Sequence, residues 1–346
     1  MKGYYARFLK VLPTLKSLAE ADEDTYLKLW EGLGYYSRVR NLHRCAETVR
    51  DEYRGRPPRA AAELVKLPGI GPYTAAAIAS ICYGEKAPAI DGNLLRIFAR
   101  MTGYKEDILQ AAAKKEADVW YRALMEALPE EDPFRETWPG VGPAHPAGIF
   151  NMALMDLGAA VCLPNTAPRC GECPWQDACA AYKAGTQEEL PLRLNKQKKV
   201  TEKKTVFVIR FAGSVVLRKR PARGLLAGLY EFPNAEGHLA QKDALAYVES
   251  LGFGALRIKR LPPAKHVFSH RIWDMICYEV FADEWNDFDR RRPDDGAGAL
   301  PPGDPAAAAA DSGSGMLFLA DPTELSDIWS VPAAFAAWRD PLREEG

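Results

Sequence analysis

No apolar run in the 346 residues approaches the roughly twenty that a helical membrane span needs, and mean hydropathy is −0.26. A soluble chain with no membrane partner is expected. An excess of either charge is also missing: 45 Lys and Arg face 46 Asp and Glu, so net charge alone announces no polyanionic ligand. Cysteine is sparse, at seven residues, and no signal-peptide pattern heads the sequence, so a secreted disulfide framework is not expected. Cys45, Cys82 and Cys277 lie singly in apolar stretches and read as buried thiols. No internal repeat is evident.

The remaining four cysteines, Cys162, Cys170, Cys173 and Cys179, are spaced C-x7-C-x2-C-x5-C. Four thiolates within eighteen residues can close on a tetrahedral zinc or on a 4Fe-4S cluster. Structural zinc usually takes two C-x2-C knuckles. A single C-x2-C pair with longer arms on both sides favours the more spread corners of a cluster.

The length suggests two domains. Residues 1–182 read as helical, with apolar positions at three- and four-residue spacing. From residue 205 the pattern turns to short β-rich runs, 206–209, 215–217 and 273–281, separated by Gly and Pro turns, so a second domain over 205–346 is expected. Between them, residues 183–204 carry Arg193, Lys196, Lys198, Lys199, Lys203 and Lys204 and read as a basic connector able to run along a phosphate backbone. Residues 290–315, rich in Asp, Gly, Pro and Ala, read as a disordered insertion.

Leu67-Pro68-Gly69-Ile70-Gly71 lies between two helical stretches, 60–66 and 72–83. A tight glycine turn at a helix N-terminus presents backbone N–H groups that hold a phosphate without reading sequence, the helix-hairpin-helix pattern. Twenty residues on, Asp91-Gly92-Asn93 precedes a helix with apolar Leu94, Ile97, Phe98 and Met101. Read alone, Asp91 or Asn93 is a helix N-cap.

Hairpin, carboxylate and downstream cysteines together resemble the iron-sulfur branch of the helix-hairpin-helix DNA glycosylase superfamily, and further motifs resemble its MutY-type adenine DNA glycosylases over almost the whole chain. Residues 30–42, Trp-Glu-Gly-Leu-Gly-Tyr-Tyr-Ser-Arg-Val-Arg-Asn-Leu, look like that family's minor-groove segment, in which the position of Tyr35 wedges beside the damaged pair; Arg38 is in the same segment. Bifunctional relatives carry a nucleophilic lysine at the position of Tyr73, so this chain resembles the monofunctional type. The resemblance implies hydrolytic excision of adenine mispaired with 8-oxoguanine or guanine in double-stranded DNA. Asp91 would stabilise an oxocarbenium-like sugar, Tyr73 would support it and Asn93 would orient Asp91. It also implies a 4Fe-4S cofactor on Cys162, Cys170, Cys173 and Cys179, although the family's usual first interval is six residues rather than seven. The expected fold is multi-domain, α plus α+β: an all-helical helix-hairpin-helix glycosylase domain with an iron-sulfur loop, then a Nudix-like α/β/α domain.

In that second domain, residues 220–233 resemble the opening of the Nudix-like domain of MutY proteins. Its hydrolytic relatives hold Mg2+ on an Arg-Glu-x-x-Glu-Glu run, where this chain offers only Asp243 and Glu249. A reader of a modified purine is expected in place of a phosphatase. Phe268-Ser269-His270 resembles the loop with which that family probes 8-oxoguanine, and a hydroxyl that both donates and accepts suits a lesion differing from guanine by a carbonyl and a protonated N7.

One family element has no counterpart. The motif reading approximately Ser-Glu-x-Met-Leu-Gln-Gln-Thr-Gln-Val supplies the acid that protonates adenine. Residues 1–9 look like the helix just after it, and neither Glu20 nor Glu23 matches. The expectation is a start set at an internal methionine, with the acid upstream, and low activity for these residues alone. A binding-only sensor of 8-oxoguanine pairs and a zinc-stabilised DNA-binding scaffold are the rival expectations. An intracellular monomer follows from the resemblance, in cytoplasm or nucleoid if bacterial and nucleus or mitochondrion if eukaryotic. No residue specifies whether a sliding clamp or mismatch-repair partner docks on the connector.

Overall fold

The computed structural model describes residues 2–130, 145–194, 199–286, 316–325 and 327–345. In chain order its helices are α1 (Lys2–Val11), α2 (Leu15–Ala19), α3 (Glu23–Leu29), α4 (Ser37–Glu52), α5 (Ala61–Leu64), α6 (Pro72–Tyr83), α7 (Gly92–Thr102), α8 (Ala111–Glu126), α9 (Pro146–Asp156), α10 (Ala180–Ala184), α11 (Gln241–Ser250) and α12 (Ala336–Glu345). The strands are β1 (Val200–Phe211), β2 (Ser214–Lys219), β3 (Tyr230–Glu231), β4 (Asn234–Glu236), β5 (Phe253–Val267), β6 (Arg271–Trp285) and β7 (Leu317–Ala320). Among the described residues, no helix is long and apolar enough to cross a membrane.

Two compact units emerge, one of residues 41–196 and one of residues 1–40 with 197–346. The division differs from the composition boundary at 182–205, because Asp24, Lys28 and Glu31 bind residues 1–40 to the strand-rich unit through long-range polar contacts.

In the helical unit, α7 carries Leu94, Ile97 and Phe98 into a core with Ala117 and Tyr121 of α8 and Leu154 of α9, and the Tyr121 hydroxyl donates to the Leu94 carbonyl at 2.8 Å. A second cluster joins Cys45 and Val49 of α4 to Leu64, Leu67, Ala75 and Ala79. Helices α6 and α9 approach closely at Gly148, where a Cβ would lie 2.7 Å from the Ile81 Cα and 2.9 Å from the Ser80 carbonyl oxygen. Gly148→Ala should therefore lower stability by about 1–3 kcal/mol, read as a fall in the urea midpoint at unchanged slope. Of the three single cysteines, Cys45 and Cys277 are buried as expected, whereas Cys82 is exposed. It lies on α6 beyond the buried stripe of Ala75, Ala76, Ala79 and Ser80.

The other unit is built on a mixed seven-stranded sheet of order β3-β2-β1-β6-β5, with β4 on β1 and β7 on β2. Strands β1 and β6 run parallel from Val200↔Arg271 to Phe211↔Ala282. The two-residue alternation of a strand sends Val206 and Val208 to one face and Phe207 and Ile209 to the other. The first face packs with Trp273, Phe335 and Trp338, and the second with Ala244 and Val248 of α11, which gives the expected α/β/α layering. Glu231, 1% exposed, is buried with its charge matched by Arg218 at 2.8 Å and by Arg220. The basic connector is shorter than its composition suggests: residues 200–204 belong to β1, with the Lys204 ammonium 5.0 Å from the Trp273 ring centroid. Lys196, Lys198 and the 290–315 insertion lie outside the described residues.

Candidate functional site

Asp91 is the N-cap of α7, in extended conformation, and its Oδ1 accepts from the Asn93 and Leu94 amides at 2.8 and 2.9 Å. Its Oδ2 accepts from the Asn93 side-chain amide at 3.0 Å. The carboxylate is thus fixed by three donors in front of a helix N-terminus, half-buried but reachable. Tyr73, in the first turn of α6, is 39% exposed, and its hydroxyl lies 3.8 Å from the Met155 sulfur. Burial, and then the charge of nearby Asp91, push the Tyr73 phenol up, which keeps it a neutral hydroxyl at physiological pH.

Two residues that the sequence pattern did not single out hold this arrangement. Asn151 of α9, fully buried, accepts from the Ala89 amide at 3.0 Å and donates to the Ser80 hydroxyl and Ala87 carbonyl at 2.7 and 2.9 Å, pinning the segment that leads into Asp91. Arg96, 2% exposed, donates to Asn93 Oδ1 at 2.9 Å, to the Gly158 carbonyl at 2.7 Å and to the Cys162 carbonyl at 2.7 Å. The signal for both was a polar side chain in an otherwise apolar helical run.

Cys162, Cys170, Cys173 and Cys179 line one cavity of about 30 Å³ with Arg100, Ile97 and Leu157. Burial pushes the Cys170 thiol up, and the sulfurs of Cys179, Cys162 and Cys173 push it further, so all four groups lie within electrostatic reach. Arg100, 4% exposed, donates to Cys162 Sγ at 3.2 Å and to the Leu163 and Leu190 carbonyls at 3.0 and 2.9 Å. Among the described residues, no three His, Cys, Asp or Glu side chains converge tightly enough for a single metal ion.

At the hairpin, Leu67 is buried and Ile70 packs on the same core, while Gly69 and Gly71 are exposed. Gly69 has φ +74° and a Cβ there would strike the Asn41 side chain, so only glycine fits this turn. Gly71 caps α6 without any side-chain hydrogen bond, and Pro72 stands at the first turn. The turn therefore presents backbone at a helix N-terminus.

The remaining predicted site residues fall in the sheet-containing unit. Gly32, Gly34 and Tyr35 all have positive φ, at +88°, +65° and +48°, in a turn closed by the Trp30 indole donating to the Gly34 carbonyl at 3.0 Å. Arg38 donates to the Leu33 and Gly34 carbonyls at 3.3 and 3.4 Å and sits 5.5 Å from the Tyr35 ring centroid. Tyr35 is 65% exposed, and its hydroxyl meets Ser269 Oγ at 2.5 Å. Phe268 is half-buried against Trp273, ring centroids 4.9 Å apart, and its amide donates to the Arg271 carbonyl at 2.8 Å, which leaves Ser269 and His270 exposed at the tip. Gly32, Gly34, Tyr35, Phe268, Ser269 and His270 border a cavity of about 630 Å³ that His266, Leu225 and Ala333 also line. Glu20 and Glu23 are engaged in this unit, with Lys16 at 3.9 Å and Arg40 at 2.7 Å.

A profile described as "HhH-GPD superfamily base excision DNA repair protein" matches residues 1–123, and one described as "NUDIX domain" matches residues 205–310. The adenine DNA glycosylase of Buchnera aphidicola subsp. Baizongia pistaciae is 30% identical over 268 residues, covering 77% of this chain and 70% of that protein. That of Buchnera aphidicola subsp. Schizaphis graminum is 31% identical over 272 residues, covering 77% and 71%. The Homo sapiens adenine DNA glycosylase is 31% identical over 331 residues, covering 81% of this chain and 57% of its own. Among solved structures, a thermostable thymine-DNA glycosylase aligns at 27% identity and TM-score 0.40, over 53% of this chain and 76% of that one.

Proposed function

This chain belongs to the adenine DNA glycosylase family, and from that premise we propose that it hydrolyses the N-glycosidic bond of adenine mispaired with 8-oxoguanine or guanine in duplex DNA, a step of base-excision repair. The observation that carries the chemistry is the pairing of Asp91 with Tyr73. A carboxylate fixed by three donors stands beside a neutral phenol, and no amine is present at position 73 to form a Schiff base. As the C1′–N9 bond breaks, positive charge develops on the sugar. Asp91 stabilises it electrostatically or by a transient covalent bond, and water then adds its hydroxide to C1′ while its proton balances the purine anion. Tyr73 lends its hydroxyl dipole to the same face. Asn93, held by Arg96, keeps the carboxylate aimed.

The hairpin amides at Gly69–Gly71 would hold a backbone phosphate, with Leu67 and Ile70 as anchors. The exposed Tyr35 ring would stack in the gap left by the extruded base while Ser269 bonds the opposite 8-oxoguanine, with Phe268 and His270 flanking it. Four thiols around one cavity, at the spacing C-x7-C-x2-C-x5-C with a single C-x2-C pair, suit a 4Fe-4S cluster better than a lone zinc. When bound, that cluster would be structural, bracing the loop whose Cys162 and Gly158 carbonyls Arg96 grips. Purified protein should therefore contain iron and acid-labile sulfide in equal amounts; stoichiometric zinc with neither would remove the cluster.

The activity is tested by single-turnover incubation with duplexes carrying adenine opposite 8-oxoguanine, opposite guanine or opposite thymine. Free adenine and an abasic strand from the first two, released slowly where no acid protonates the purine and without strand scission, is the expected result. Tight, lesion-selective binding with no adenine released would favour the binding-only sensor instead.

A further inference from the structure

We propose that Glu31 is a positioning residue for lesion discrimination: its largely covered carboxylate docks the 32–36 turn so that Tyr35 and Ser269 form one reading surface before nucleic acid arrives. The inference rests on the proposed function, in which Tyr35 and Ser269 face the opposite base. Glu31 has a side chain 12% exposed and pairs with Lys28 at 2.7 Å, Arg339 at 3.1 Å and Arg343 at 2.9 Å, so it joins α3 to α12 across some three hundred residues of sequence. The cations are themselves anchored to backbone: Lys28 donates to the Leu325 and Trp329 carbonyls at 3.3 and 3.1 Å, and Arg339 to the Val331 carbonyl at 2.6 Å. Asp24 adds a second tie, receiving Lys219 at 3.0 Å and the Tyr230 hydroxyl at 3.2 Å.

The turn begins immediately after Glu31. Within it, Tyr35 has φ +48°, a region that a residue with a side chain occupies only when its surroundings impose it. Its ring is largely exposed, so no packing of the ring imposes that backbone. The constraint comes from the docked base of the turn and from the 2.5 Å bond to Ser269. Asp340 also faces this cluster, 2.7 Å from Arg339 and 3.8 Å from Arg343, but it is half exposed and bonds neither Lys28 nor the turn. Glu31 is the anion central to all three cations.

The test uses the full chain in an Asp91→Asn background, so that binding is read without turnover, and compares duplexes carrying adenine opposite 8-oxoguanine and opposite guanine. Glu31→Gln is expected to lower the affinity ratio between the two about tenfold, through weaker 8-oxoguanine binding alone, while raising amide exchange at residues 32–36 and 266–271 and leaving β1 and β6 unchanged. Because Glu31→Gln leaves three cations facing one another, the double variant Glu31→Gln/Arg343→Gln relieves that repulsion and should show the same loss. Equal loss of affinity for both duplexes, or unaltered discrimination in either folded variant, overturns the proposal. If the parent itself fails to discriminate, the lesion-reading assignment falls. Exchange then decides the docking role separately, and unaltered exchange at 266–271 sinks it as well.

Discussion

In a form that supplies the purine-protonating acid, Asp91→Asn is expected to lower adenine release under single-turnover conditions by a factor on the order of 10² to 10⁴ relative to its parent, with duplex affinity retained. The substitution is nearly isosteric, and Asn caps a helix about as well as Asp, so α7 should start at the same residue and the thermal midpoint should scarcely move. Electrostatics change instead. Asp91 accepts from two amides and from the Asn93 side chain, and an amide in its place can keep only part of that set, because its own NH2 would face the Asn93 NH2. The formal negative charge beside the developing oxocarbenium is lost altogether. Tyr73 supplies the control: its phenol is raised partly by Asp91, so its titration midpoint should fall in the variant if the two groups interact as the structure implies. A variant that releases adenine within about tenfold of the parent rate would exclude Asp91 from the chemistry.

Much of this site could be read from sequence because its signals are local. Asp91-Gly92-Asn93 before an apolar i, i+3, i+4 helix gives the cap and its position, and the 206–209 run is continuously apolar, as a strand buried on both faces must be. The four cysteines sit within eighteen residues, so their shared cavity needs little long-range information. The features that sequence reading missed depend on partners far away in the chain. Arg96 and Arg100 stand four apart on the otherwise apolar α7, and both are buried because backbone carbonyls at Gly158, Cys162, Leu163 and Leu190, some sixty to ninety residues on, cover them. Glu31 reads as one more surface acid until α12 closes on it. Residues 1–40 share the helical periodicity of residues 41–182, and periodicity says nothing about which neighbour a helix will choose. Their grouping with residues 197–346 is decided by Asp24, Lys28 and Glu31, three charges whose partners lie about two to three hundred residues on.

The second large effect belongs to Arg96. Arg96→Met should destabilise the helical unit by about 3–5 kcal/mol, because a buried guanidinium serving several acceptors is replaced by a side chain that fills the space and serves none. Its acceptors are the Cys162 and Gly158 carbonyls at 2.7 Å each, Asn93 Oδ1 at 2.9 Å and, more weakly, the Gly92 carbonyl at 3.4 Å. At roughly 1–3 kcal/mol for each buried acceptor left unpaired, two would account for the whole loss, and relaxation or entering water would spare the rest. Gly158 cannot easily shift to compensate, since its Cα faces the Asn93 side chain so closely that a Cβ would lie 2.7 Å from the Asn93 Cβ. The loss should therefore appear in two places at once: a lower urea midpoint, and, for protein carrying the proposed cluster, faster release of its iron from the loop that begins at Cys162. Arg96→Lys separates charge from geometry. It retains a cation, but a single ammonium on a shorter reach cannot serve the Cys162 carbonyl together with Gly158 and Asn93, so its stability should fall between parent and Met variant while Asp91 loses its aim. If the Lys variant matched the parent in both stability and adenine release, the fork of the guanidinium would be irrelevant. Arg96 would then act on the site through charge alone.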